Sequence, residues 1–350
     1  MKKWKKIIAG CLVTGMSMMA LSGCVASKEE QEVTGQENVN QQEQEVADQE
    51  TTESDPWKIG VVQLVEHAAL DASYQGFLDG LEEEGYEQGK DFTIDYQNAQ
   101  GEQSNAQTIA TKLVNDKNDL ILAIATPAAQ AVANATKEIP ILVTAVTDPQ
   151  DAKLVESNEN PGGNVTGTSD LTPVKEQIQL IKELVPDVKT VGLLYCSSEA
   201  NSEFQINMAK EELDALGIAY EVATVSNSNE IQQVTQSLVG KIDALYSPTD
   251  NMIAAGMPIV AQVVNEAKIP FVVAEEGMFE NGGLATFGIN YYNLGKLTAK
   301  QAIRILKDKE DPANMPIEYL KEGNLFINEE LANELGITLS EELLKKKVNK

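Results

Sequence analysis

Polar residues suited to holding a small ligand recur in this chain at one kind of place, the turn that follows an apolar run. Glu66 and His67 follow the first run, Thr126, Pro127 and Ala128 the third, and Thr147 and Asp148 the fourth. Later turns carry Ser198 and Asn201, then Thr249, Asp250 and Asn251, then Glu275 and Gly277, and last Asn290. A carboxylate in such a turn accepts hydrogen bonds from a cation, whereas hydroxyls and the free N–H groups of a helix start suit an anion. The same residue types also cap helices and close turns. Asp148 before Pro149 and Asp250 before a helix therefore carry both readings. His67, the one histidine, reads either as a pocket donor or as an exposed loop residue, and Glu66 beside it divides in the same way. One histidine and three cysteines leave little material for a metal centre or a Cys/His nucleophile pair. No cofactor, no metal and no catalytic residue are expected. Paired carboxylates alone would serve a glycosidase, but nothing in the sequence sets two of them opposite one another.

The elements that must carry these turns show themselves by repetition. Asp119 opens an apolar run that ends at Thr126-Pro127, and Lys137-Glu-Ile-Pro140 opens a second one. Asp243 opens a run ending at Pro248-Thr249-Asp250, and Ala267-Lys-Ile-Pro270 opens its companion. Each copy reads as buried strand, turn, helix and buried strand. Short continuous apolar runs separated by helical patterns mark parallel strands covered on both faces. In such sheets ligands gather beyond the strand ends. Trp57–Val62, Phe92–Tyr96, Val191–Tyr195, Tyr220–Val225 and Leu284–Gly288 supply further strands, with one more near Leu325 and a charged terminal helix after it. The segment 160–168 is glycine-rich but lacks the Lys and Ser/Thr of a phosphate loop, so it reads as a turn and a crossover strand. Thr172 and Pro173 suit the N-cap and first position of the next helix. Leu294, Leu297, Ala302, Ile305 and Leu306 line one face of a late helix. The expected architecture is α/β, two doubly wound parallel-sheet lobes joined by several crossings. Lobe 1 would take residues 57–168 and about 290–315; lobe 2 would take 169–289 and about 316–350. Candidate polar residues fall in both halves, which implies a ligand enclosed between lobes that close on it.

Composition narrows the partners. The net charge of −27 argues against nucleic acid and against adsorption to an anionic membrane, both of which select Lys and Arg. Lys2, Lys3, Lys5 and Lys6 precede an apolar stretch from Ile7 to Leu21, which has the length of a signal-peptide core rather than of a membrane span. It ends in Leu21-Ser22-Gly23-Cys24, which resembles a bacterial lipobox and implies cleavage before a lipidated Cys24. Residues 1–23 would then be a signal peptide. Residues 24–56, rich in Glu, Gln, Asn and Thr, would form a disordered acidic tether on the outer side of the cell membrane. Cys11 would leave with the signal, Cys196 would remain as a thiol, and no internal disulfide is possible.

From Trp57 to about Lys345 a set of ordered segments resembles a known family. They are Val65-Glu-His-Ala-Ala-Leu-Asp71, Ile124-Ala-Thr-Pro-Ala-Ala-Gln130, Ala145-Val-Thr-Asp-Pro149, Pro161-Gly-Gly-Asn-Val-Thr-Gly-Thr168, Pro248-Thr-Asp-Asn251, Glu275-Glu-Gly-Met278 and Gly288-Ile-Asn-Tyr-Tyr292. Together they are similar to the substrate-binding lipoproteins of ABC transporters, in the tryptophan/tyrosine-type group. That resemblance implies a type I periplasmic-binding fold, an aromatic L-amino acid as ligand, permease and ATPase subunits as partners, and no enzymatic activity. Family members more often show Asp where Asn290 stands and Asn where Cys196 stands. A zwitterion asks for two kinds of partner. Ser198, Thr126 and Ala128 suit its carboxylate; Asp250, and after it Asp148, suit its ammonium. Tyr291 and Tyr292 would place one ring in the cleft and one in the core. The same fold with another solute (a branched-chain amino acid, a nucleoside, a short peptide), a signalling ectodomain and an exported enzyme remain the alternatives.

Overall fold

A computed structural model describes residues 55–321 and 323–348. The proposed signal peptide, Cys24 and the tether up to residue 54 lie outside the described residues. Lobe 1 begins with β1 (Trp57–Gln63), α1 (Ala68–Glu83), β2 (Phe92–Asn98), α2 (Gln103–Asn115), β3 (Leu120–Ile124), α3 (Thr126–Ala135), β4 (Ile141–Val146) and β5 (Val165–Ser169). The chain then crosses into lobe 2: α4 (Val174–Leu184), β6 (Thr190–Cys196), α5 (Ala200–Leu216), β7 (Ala219–Val225), α6 (Ile231–Leu238), β8 (Ala244–Ser247), α7 (Asn251–Ala255), α8 (Met257–Glu266), β9 (Phe271–Val273), α9 (Glu276–Glu280) and β10 (Ala285–Gly288). It returns to lobe 1 for α10 (Tyr291–Leu306) and β11 (Glu318–Tyr319). A third crossing leads to β12 (Asn324–Ile327), α11 (Glu329–Glu334) and α12 (Glu341–Lys346) on lobe 2.

The two sheets have the orders β11-β5-β4-β3-β1-β2 and β12-β10-β9-β8-β6-β7. All pairings are parallel except β10 with β12. The repeat has a structural cause. Asp119 accepts a hydrogen bond from Lys58 N at 2.8 Å, and Asp243 accepts from Lys189 N and Thr190 N at 2.8 and 2.9 Å. Each aspartate therefore fastens the start of its own strand to the start of the strand beside it. Pro140 and Pro270 lack N–H groups, but their carbonyls accept from Ile121 N and Leu245 N, so each Ile-Pro opens a central strand without a lost bond. The central strands are buried along their length, as expected of a sheet covered on both faces.

Helix α10 packs on α1 with almost no side chain between them. A Cβ on Gly76 would lie 2.0 Å from Tyr292 O, and one on Gly295 would lie 2.0 Å from Ser73 O. Leu294, Ala299, Ala302, Ile305 and Leu306 join the core of lobe 1.

Three local expectations need correction. Glu318–Tyr319 pairs with Thr168–Ser169, so lobe 1 runs past residue 315 and the third crossing follows Tyr319. A two-residue strand is too short to show a pattern in sequence. Helix α4 starts at Val174 with Pro173 at the cap position and no side-chain cap bond. Thr172 is buried with its hydroxyl unpartnered, so it does not cap. Tyr292 is not a core residue: its hydroxyl donates to Asp79 Oδ2 at 2.7 Å beside α1, and Lys296 lies over its ring.

Candidate functional site

The strand ends of both sheets face one another across a closed cleft. A cavity of about 10 Å³, room for about one water, lies between them. From lobe 1 and the crossings it is lined by His67, Leu70, Ala145, Thr147, Asp170 and Tyr291. From lobe 2 come Asn201, Thr249, Asp250, Asn251, Ala254 and Glu275. A second, more open cavity of about 190 Å³ adjoins it through Glu275 and Tyr291, with Ala68, Ala69, Ala72, Glu276, Gly277, Glu280, Asn290 and Tyr292 on its walls.

Of the residues anticipated in sequence, the structure brings His67, Thr147, Asn201, Thr249, Asp250, Asn251 and Glu275 together on the central cavity. Gly277 and Asn290 reach only the second one, and Asn290 caps α10 by accepting from Asn293 N at 2.9 Å. Six others stand elsewhere. Asp148 Oδ1 accepts from Gln150 N, Asp151 N and Asn158 Nδ2 at 2.9–3.1 Å, the bonding of a turn former. Ser198 is exposed, its hydroxyl 3.1 Å from Cys196 Sγ. Glu66 is exposed. Thr126, Pro127 and Ala128 are buried in the first turn of α3 and do not line the cavity.

Direct bonds join the lobes across the cleft. Thr147 and Thr249 hydroxyls meet at 3.1 Å, and Gln205 Nε2 of lobe 2 donates to Thr147 Oγ1 of lobe 1 at 3.4 Å. His67 Nε2 lies 3.2 Å from Asn251 Oδ1. The amide of Asn251 is oriented by Glu199, whose Oε2 accepts from Asn251 Nδ2 at 2.5 Å. Asn251 Oδ1 is thereby left as an acceptor. His67 must hold its proton on Nε2, and Nδ1, buried without a partner, presents a lone pair. Burial lowers the His67 pKa to about 4, against the hydrogen bond it makes to Asn251, which raises it, so the ring is neutral.

The carboxyl groups are differently placed. Asp250 caps α7 through Ile253 N at 2.8 Å and accepts from Cys196 N at 2.6 Å with its other oxygen. Glu275 caps α9, accepting from Gly277 N at 2.5 Å and Met278 N at 2.7 Å. Glu199 serves Asn251 and Met252 N. Asp170 is the exception among the cavity's acids. Its Oδ2 accepts from the Tyr291 hydroxyl at 2.6 Å, while Oδ1 is buried with no partner. Burial raises all four: Glu275 to about 7, Glu199 to about 8, and Asp170 and Asp250 above the usual carboxylate range. Neither Lys nor Arg lines the cavity. An enclosed space with this much acid and no protein cation favours a cationic group.

Asp170 and Glu199 were not legible in sequence, and of the two tyrosines expected to share cleft and core it is Tyr291 that lines the central cavity. Asp170 lies in a crossing just after β5, and Glu199 looked like one acid in a polar turn. Backbone strain also marks the site. Ala145, on the cavity wall inside an irregular stretch of β4, has φ +54°. Non-glycine residues persist in such conformations where the surroundings impose them.

The sequence matches the family described as ABC transporter substrate binding protein over residues 58–350. A tyrosine-binding protein of Clostridioides difficile (strain R20291) is 43% identical over 340 residues, 96% of this chain and 94% of that one. A solved domain from Streptococcus pneumoniae in complex with L-Trp is 42% identical with a TM-score of 0.81, covering 83% of this chain and 98% of that one. The ligand-free, open structure of a substrate-binding protein with adhesive properties from Clostridium difficile is 46% identical, yet its TM-score is 0.63, over 81% of this chain and 96% of that one. Solute-binding proteins 14% identical to this chain share its fold at TM-scores of 0.56 to 0.58. The fold is of the type I periplasmic-binding kind.

Proposed function

Because this chain belongs to the family of ABC transporter substrate-binding proteins, extracytoplasmic proteins that bind a small ligand for a permease, we propose that its ligand is an aromatic L-amino acid: tryptophan, tyrosine or phenylalanine. The observation that carries this reading is the acid-lined cavity between the lobes, with Asp170, Asp250 and Glu275 on its wall and no Lys or Arg. It suits a group that brings its own positive charge. The relatives named for tyrosine and crystallised with L-Trp support the ligand class. His67, Thr147, Asp170, Asn201, Thr249 and Asn251 surround the charged end of the ligand, and the adjoining cavity of about 190 Å³ gives room for its ring. The ligand favours closure because it touches both lobes.

In the same reading residues 1–23 direct export and are removed, Cys24 is lipidated, and the acidic tether holds the two-lobed body off the membrane. Among the described residues no helix is long and apolar enough to cross a membrane. The protein binds and releases its ligand unchanged and is not an enzyme.

The test is calorimetric titration of the chain, unfolded and refolded to strip carried-over ligand, against the common L-amino acids. Tight binding of tryptophan, tyrosine or phenylalanine is expected. Heats for nucleosides, short peptides or branched-chain amino acids alone would overturn the ligand assignment, and turnover of a bound ligand would overturn the transport reading.

A further inference from the structure

Within that amino-acid reading, we propose that Asp170 is the residue that receives the ligand's ammonium group and so selects an α-amine. Three carboxyls line the central cavity. Asp250 and Glu275 each have both oxygens bonded to backbone N–H groups that start a helix or end a strand. Moving either toward a ligand would release a helix cap. Asp170 has committed one oxygen only. Its Oδ2 is held by the Tyr291 hydroxyl, the Thr147 hydroxyl interacts with the same carboxyl group, and Oδ1 is buried without a hydrogen bond of its own. A buried carboxylate oxygen in that state is costly unless a donor arrives.

Two further residues of the same cavity each carry a buried, unpartnered acceptor atom. Asn201 donates its amide to Thr249 O at 2.9 Å, which leaves Asn201 Oδ1 as a bare carbonyl. His67 Nδ1 is the lone-pair nitrogen of a neutral ring. An ammonium carries three N–H donors and no acceptor, and three enclosed acceptors, one of them anionic, match it. A ligand carboxylate, which only accepts, finds no such match among these three acceptors. Asp170 also lies on the crossing between the lobes, directly after β5, with its N–H bonded to Val146 O at 3.2 Å. The charge that holds the ligand is therefore carried by the hinge and moves little when the lobes part. Tyr291 is the positioning residue, anchored at the start of α10 by a second crossing.

The experiment compares two ligands on two variants of the full chain. L-tyrosine and its deaminated analogue 3-(4-hydroxyphenyl)propionate are titrated into wild type, Asp170→Asn and Tyr291→Phe. Asp170→Asn is expected to weaken L-tyrosine by about 100-fold or more while leaving the deaminated analogue unchanged or tighter. Tyr291→Phe, which removes one hydroxyl and keeps the ring, is expected to weaken L-tyrosine several-fold without moving the analogue, and it carries the test if Asp170→Asn does not fold. Binding of L-tyrosine to Asp170→Asn within about threefold of wild type, or equal losses for both ligands in Tyr291→Phe, would overturn the assignment while leaving the aromatic ligand intact. Failure of the wild-type chain to bind L-tyrosine, L-tryptophan or L-phenylalanine would overturn both.

Discussion

The carboxyls around the cleft tie ligand chemistry to stability. Glu275 is raised from 4.5 to about 7 and Glu199 to about 8, in both cases by burial first. Between pH 4.5 and those values the ligand-free native state holds protons that the unfolded chain has released. Stability from these groups is complete below about pH 4.5 and is lost as pH rises through 7 and 8. Denaturant unfolding of ligand-free protein at pH 5 and pH 8 measures this. The wild type should lose on the order of 2 kcal/mol more on that rise than Glu275→Gln; identical pH profiles would remove Glu275 from the account. Residue roles were partly readable in sequence. A polar residue at a strand end was recognisable, and seven of the anticipated ones do meet on the cavity. Which of them turns inward was not. Asp148 spends its carboxylate on the turn before Asn158, and Asp250, expected to meet an ammonium, is bonded on both oxygens. Asp170 went unnoticed because its role depends on an unpartnered atom, which exists only once the chain has folded around it.

Among the elements, the closest packing is α1 against α10. It explains why a segment more than two hundred residues downstream completes lobe 1. Gly76 and Gly295 let the backbones touch, and any Cβ at either position must push the helices apart. Gly295→Ala should therefore cost about 1–3 kcal/mol in denaturant unfolding, despite alanine's higher helix propensity. A neutral or stabilising result would mean that the helices can shift at no cost. The duplicated strand–helix–strand units were legible because their signal is local: an aspartate, an apolar run and an Ile-Pro. The excursion of Glu318–Tyr319 back to lobe 1 was not, since two residues on a sheet edge carry no period and their pairing is decided by where the third crossing runs.

At the scale of the whole molecule the issue is closure. This structure fits the L-Trp complex at a TM-score of 0.81 and the ligand-free, open relative at 0.63, although the latter is the more similar in sequence. A difference in the arrangement of lobes would produce that inversion. The closed cleft is made by small contacts: the Thr147–Thr249 pair, His67 on Asn251, and Gly277 of lobe 2 against α1 of lobe 1. A Cβ at Gly277 would stand 3.0 Å from Ala68 Cβ and 3.1 Å from Ala69 N, so a branched side chain there cannot be accommodated while the lobes are shut. Closure also encloses Asp170, Asp250 and Glu275 together. Without a cation that arrangement opposes itself; with an ammonium it is balanced, and ligand binding and closure become one equilibrium. Solution scattering separates these contributions. Wild-type protein should contract when an aromatic amino acid is added. Gly277→Leu should keep the larger radius of gyration with ligand present and bind more weakly, because the ligand then keeps its contacts with one lobe and loses those with the other. A Gly277→Leu protein that contracts as far as wild type at the same ligand concentration would show that α9 does not limit closure, and that the bonds of His67, Thr147 and Thr249 hold the cleft shut without it.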